Sequence, residues 1–263
     1  MSCGVIASAF CTCPGKRDWQ AGEAIFLTLK RLLRRKKHSS QRHSLDSDDW
    51  KMNKNDLISI NDLTPKTIFA LLKSASRFKR NKTKPSFQLK GKSVGLLFQK
   101  PSNRTRVSFE VAVNQMGGNC IYLSPEEIDL GKRESTSDVA RTLSRYLDCI
   151  VARTNAHQDV VDLAKFSSIP VINGLSDLTH PCQGLADLLT IQEHFKTFQG
   201  VTVAYIGDGN HVCHSLMLGC AKVGLNIHVA TPKHYEPLAQ MVSWAQKFTK
   251  ESGSNIALTN SPE

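Results

Sequence analysis

No apolar run in these 263 residues approaches the roughly 18 that a membrane-crossing helix needs, so a soluble protein with no membrane partner is expected. Paired cysteine spacing is missing too. The eight cysteines are Cys3, Cys11, Cys13, Cys120, Cys149, Cys182, Cys213 and Cys220; none forms Cys-x-x-Cys, and Cys11-x-Cys13 is too tight for a zinc knuckle. A structural metal is therefore not expected. Contexts such as "DCIVAR" (148–153) read instead as small buried thiols in a reducing compartment. With 40% hydrophobic and 22% charged residues the composition is globular, and the length suits one large or two modest domains.

Acids are absent from "AIFLTLKRLLRRKKHSSQRHS" (24–44), which is basic, rich in Ser and His, and able to set Leu and Phe on one helical face. Residues 1–51 thus resemble an organellar presequence, with mitochondrial delivery the first expectation and a plastid or cytoplasmic location the alternatives. A disordered basic tail or a nucleic-acid arm shares this composition. Met52, opening "MNKNDLISINDL", offers a second start. Residues 1–54 hold eleven Lys and Arg against five acids, so +6 of the net charge of +11 sits in the first fifth of the chain. That location argues against a nucleic-acid partner for the folded part.

From there apolar strands alternate with amphipathic helices. "TPKTIFALLKSASRFKR" has Thr64 to cap a helix and Pro65 at its first position. Strands are expected at 92–99, 119–124, 149–153, 169–173, 201–209, 226–232 and 255–260. Helices are expected from 106, 135, 157, 181 to 198, 211 and 235 to 251. This alternation predicts an α/β fold: two parallel-sheet α/β domains, covered on both faces and joined by the long helix 181–198, the second domain incomplete. Residues 52–183 form the first unit in this reading and 184–263 the second.

In an open parallel sheet, ligands bind beyond the carboxyl ends of the strands. Three such ends carry polar groups. After "GLLFQ" come Lys100, Ser102, Asn103, Arg104, Thr105 and Arg106, where a helix start could cradle a phosphate or where the arginines could stand exposed on a capped helix. After "CIVA" comes Arg153, which needs a ligand or an acidic neighbour. His180 and Gln183 open the helix in "HPCQ", where a neutral imidazole could donate to a carbonyl oxygen or lie as a surface cap. Taken together the three ends describe one pocket.

"SNRTR" (102–106) and "HPCQGLADLLT" (180–190) resemble the two signatures of the aspartate and ornithine carbamoyltransferases, in order and at matching spacing. "DLGKRESTSDVARTLSRY", "NGLSDLTHPCQ" and "YIGDGNHVCHSLM" are similar to the ornithine enzymes, over about residue 55 to the end. The resemblance implies transfer of a carbamoyl group from carbamoyl phosphate to the δ-amine of ornithine, giving citrulline and phosphate. It assigns carbamoyl phosphate to Ser102, Asn103, Arg104, Thr105, Arg153, His180 and Gln183. Of these, Arg104, Arg153, His180 and Gln183 would act on the reacting group. It implies a homotrimer built through the first unit, a place in arginine biosynthesis or the urea cycle, and neither metal nor organic cofactor.

Three departures stand out. His211 takes the position of an Asn that contacts the amino-acid substrate, and is the ornithine-binding candidate here. Asp129 stands where Gln or His often reaches a neighbouring subunit's site; a carboxylate there repels phosphate unless paired. The family pattern also continues past residue 263, through a Ser-Met-Gly loop and a His-Cys-Leu-Pro motif. A partial ornithine site is therefore expected, with apolar surface exposed on the helices of 55–80 and 181–198. Two other functions compete: an inactive binding or regulatory chain, and a carbamoyltransferase for another amino acid.

Overall fold

A computed structural model describes residues 56–80 and 87–262. The basic leader of residues 1–51 with its presequence reading, the start at Met52, and Cys3, Cys11 and Cys13 lie outside the described residues. Thr64 caps α1 (Pro65–Arg80) as expected, its Oγ1 accepting the Thr67 N–H at 3.1 Å.

β1 (Ser93–Phe98) is buried along nearly its whole length, the pattern of a strand covered on both sides. It lies inside a four-stranded parallel sheet of order β2-β1-β3-β4, with β2 (Asn119–Leu123), β3 (Cys149–Arg153) and β4 (Val171–Leu175). α2 (Asn103–Gln115) steps outward from β1 to β2. The short α3 (Pro125–Ile128) and α4 (Thr136–Tyr146) carry the chain back across β1 to β3, and α5 (His157–Phe166) leads on to β4. Right-handed crossovers stepping in opposite directions cover opposite faces. Phe98, Phe109 and Met116 accordingly belong to one core, and Leu97, Ile150 and Leu163 to another. Leu57 bridges to Ile172 and shields the outer edge of β4.

α6 (Pro181–Phe195) joins the halves, burying Leu185, Leu188, Leu189 and Ile191. It ends three residues before the expected boundary, at Lys196 in the left-handed conformation. A Cβ on Gly184 would come 2.6 Å from Ile60 Cδ1 and 3.1 Å from the Ser215 carbonyl oxygen, so only glycine lets α6 meet α7 (His211–Val223) this closely.

The second sheet is parallel, of order β5-β6-β7: β5 (Thr202–Ile206), β6 (Asn226–Ala230) and β7 (Ile256–Thr259). α7 and α8 (Ala239–Ser252) form its two crossovers. Both step in the same direction, which puts both helices on one face. Val203, Tyr205, Ile227 and Val229 are buried there, while Ile206 and His228 are exposed on the other face. Among the described residues, coverage of both faces thus holds for the first sheet and is corrected for the second.

Two further expectations are corrected. Residues 235–238 are a loop, not the first turn of a helix: Pro237 disfavours helix at the residue before it, and Gly209 donates its N–H to the Tyr235 carbonyl at 2.7 Å. The large apolar side chains of α6 are covered, because α1 and α7 pack against it; on α1 the exposed one is Phe69, at 42%. The five cysteines among the described residues are free, and Cys149, Cys182, Cys213 and Cys220 are buried.

Candidate active site

β1 and β3 pair in register from Val94 with Cys149 to Phe98 with Arg153, so their carboxyl ends finish side by side. β4 joins β3 with a register shift between Ala152 and Arg153, at the point where the Arg153 side chain leaves the sheet. Gln99 ties the loops beyond: its Oε1 accepts the Asn155 N–H at 2.7 Å.

Ser102 caps α2, its Oγ accepting the Thr105 N–H at 3.3 Å. Asn103 and Arg104 are exposed in a first turn with no acid, so the positive end of the helix is left open to an anion. Arg106 turns away, its Nε donating to Glu110 Oε1 at 2.9 Å with the guanidinium 3.7 Å from the Tyr122 ring centroid. Of the charged groups in "SNRTR", Arg104 is the one that acts on the Arg153 guanidinium.

Arg153 Nη1 donates to Thr105 Oγ1 at 3.5 Å, which joins the second strand end to the first. Its Nε is buried without a partner. Burial first, and then the Arg104 guanidinium, lower its pKa from the ordinary value. Two guanidiniums this close repel each other, and an anion between them removes that cost.

His180 forms the N-cap of α6 but makes no side-chain capping bond. Its ring lies 6.4 Å from that of His211, centroid to centroid, and its Nδ1 is buried without a partner. Burial, His211 and Arg153 hold its pKa down at about 3, so the ring is neutral near pH 7. The loop before it is held from within: Asn173 Nδ2 donates to the Ile58 carbonyl at 2.9 Å and to Thr179 Oγ1 at 3.0 Å. His211 is the first residue of α7, whose cap Asn210 accepts the Val212 N–H at 2.9 Å. Burial, then Arg153, His214 and Lys100, lower the His211 pKa, with Asp177 opposing.

Gln183 lies in the first turn of α6, its Nε2 donating to Asp187 Oδ1 at 2.8 Å. Burial pushes the Asp187 carboxyl up to about 6, so it is largely ionised near pH 7 and holds the amide nitrogen. The Gln183 oxygen is left to accept, which suits an –NH2 group. Asp129 caps α3 and pairs with Lys132 at 3.6 Å, which offsets its charge.

Thus Ser102, Arg104, Thr105, Arg153, His180 and His211 come together. Gln183 joins through the helix it shares with His180. Sequence reasoning missed Asp187, although the Gln183-to-Asp187 spacing of one helical turn was visible. It also missed Ser215, whose tie to His180 spans 35 residues and has no local signal.

The family described as Aspartate/ornithine carbamoyltransferase, carbamoyl-P binding domain, matches residues 55–193, and its Asp/Orn binding domain matches residues 199–263. The ornithine carbamoyltransferase of Pyrococcus horikoshii is 50% identical over 209 residues, 79% of this chain and 66% of the relative. That of Bacillus cereus (strain Q1) is 50% identical over 213 residues, 81% of this chain and 67% of the relative. Among solved structures, ornithine carbamoyltransferase from Pyrococcus furiosus is similar with a TM-score of 0.76 at 48% identity, covering 78% of this chain and 66% of that one. A mitochondrial ornithine carbamoyltransferase from Coccidioides immitis gives 0.75 at 39% identity, covering 79% and 69%. The chain spans about two thirds of the length of these relatives.

Proposed function

The chain belongs to the aspartate/ornithine carbamoyltransferase family, and from that premise we propose that it transfers the carbamoyl group of carbamoyl phosphate to the δ-amine of ornithine, giving citrulline and phosphate. One observation carries this reading beyond membership. Two polar atoms buried without partners, Arg153 Nε and His180 Nδ1, belong to the place where three strand ends meet. Buried polar groups in a folded protein are normally satisfied, and a ligand rich in oxygen would satisfy these.

In the proposed reaction, the N-terminus of α2 with Ser102, Asn103, Arg104 and Thr105 binds the phosphate. Arg153 and neutral His180 donate to the carbonyl oxygen. Gln183 accepts from the carbamoyl –NH2. The neutral amine of ornithine attacks the carbonyl carbon, and the developing negative charge on oxygen is stabilised by donors already aimed at it. The carbon–oxygen bond to phosphate then breaks, its electron pair going to the phosphate oxygen, and the proton lost by the attacking nitrogen passes to the departing phosphate. Holding the amine in line supplies much of the remaining acceleration. His211, beside His180, is the group of the second unit assigned to ornithine.

The homotrimer, the place in arginine biosynthesis or the urea cycle, and the mitochondrial location are part of the same proposal. The first two rest on the family, and the last on the basic stretch 24–44. Citrulline formation by the purified chain, with Arg104→Ala as control, tests the reaction. Citrulline that disappears in the control is expected; none from the unaltered chain refutes the activity and leaves a binding role. Sedimentation equilibrium tests the trimer, a monomer at assay concentration refuting it.

A further inference from the structure

Two polar side chains of α7, His214 and Ser215, are 2% and 1% exposed, and no step above uses them. Polar groups in so buried a helix carry a desolvation cost unless they are bonded, and both are. Ser215 Oγ accepts the backbone N–H of His180 at 2.8 Å and donates to the His211 carbonyl at 2.8 Å. One hydroxyl therefore links the backbones that carry both imidazoles. His214 spans the two halves of the molecule. Its Nδ1 lies 2.9 Å from the Leu178 carbonyl, in the loop leading to His180, and its Nε2 lies 3.1 Å from the Leu238 N–H, in the loop after β6. The Leu238 N–H can only donate, so Nε2 is unprotonated and Nδ1 carries the hydrogen given to Leu178.

We propose that His214 and Ser215 are positioning residues: together they tie the loop before His180 and the loop at Leu238 to α7, and so set the spacing of His180 and His211 for carbamoyl transfer. This rests on the carbamoyl-transfer reading above. Two glycines permit the arrangement. Gly184 lets α6 approach Ser215, and a Cβ on Gly209 would fall 2.2 Å from the Pro237 nitrogen, so the loop before α7 and the loop after β6 close against each other only there.

The test uses the full chain with Ser215→Ala, Ser215→Thr and His214→Leu, measuring turnover per folded molecule and hydrogen exchange. In Ser215→Ala, kcat should fall about tenfold to a hundredfold, the cost of a misplacement of about 1 Å. KM for carbamoyl phosphate should stay within about threefold, since the phosphate cradle is untouched. Ser215→Thr, which keeps the hydroxyl, should restore most of the rate. The His180 amide should lose exchange protection in Ser215→Ala, and the Leu238 amide in His214→Leu. A lower melting temperature with unchanged kcat overturns the proposal, because the pair would then only stabilise the fold. If the unaltered chain makes no citrulline, the carbamoyl-transfer reading fails on its own. Exchange then decides the proposal: lost protection supports the tie between the loops, and protection retained at both amides overturns it.

Discussion

The four-stranded sheet is buried between helices on both faces, whereas the three-stranded sheet has helices on one face and solvent on the other among the described residues. Winding direction makes the difference. The first sheet reverses its direction at β1 and so collects helices on both sides; the second steps one way only. The groups assigned to carbamoyl phosphate all come from the first unit and the start of α6, so they stand on the better-supported framework. The second unit contributes His211, and also the buried polar side chains that hold the loop of His180 in place.

Matched core truncations probe this contrast most strongly. Leu97 in β1 and Ile227 in β6 are both fully buried. Leu97→Ala should cost about 4–5 kcal/mol in chemical denaturation, and Ile227→Ala about 2–3, because a sheet with one open face relaxes into the space left behind. Equal costs would break the comparison.

Arg104→Ala comes next. Removing a charged donor from the cradle should weaken inorganic phosphate binding by roughly tenfold to a hundredfold, with little change in melting temperature, since Arg104 is exposed. Calorimetric titration reads the affinity, and a thermal melt reads the stability. Unchanged affinity would mean that the first unit does not hold the anion at this helix end.

A third expectation concerns acid. Between pH 6.5 and about 3 the unfolded chain takes up a proton that folded His180 refuses, so stability is lost as pH falls through that window. His211, His214 and His157 are shifted in the same direction, each by burial first. Asp187 works against them, because its carboxyl, raised to about 6, is protonated first in the folded state. His180→Asn should flatten the acid limb of a stability-against-pH curve, and an unaltered limb would show that His180 is not held neutral by its surroundings. The smallest effect belongs to the open face: Ile206→Thr should change stability by no more than about 0.5 kcal/mol, and a larger loss would reveal a cover on that face.

Much of this was legible in the residues because it depends on neighbours in the chain. Thr64 before Pro65 and Pro181 at the start of α6 are local capping signals, and each marks an observed boundary, whereas the helix expected from 106 begins at Asn103, behind its cap Ser102. Residues 235–238 misled because their pattern continues into α8, while the loop is held by Gly209 and by His214, more than twenty residues upstream. Likewise the seven site candidates of the first unit could be named from strand ends, but the role of Asp187 in turning the Gln183 amide required seeing that carboxylate buried.

The sequence by itself determined the alternation of strands and helices, the capped start of α1, and the family, since these follow from apolar period, capping chemistry and motif order. Tertiary structure alone decided that Arg106 stacks on Tyr122, that His180 stands neutral beside His211, and that one face of the second sheet is open among the described residues. The physical reason is common to all three. Burial, charge proximity and sheet coverage are set by segments far apart in the chain, and no local pattern encodes the distance between them.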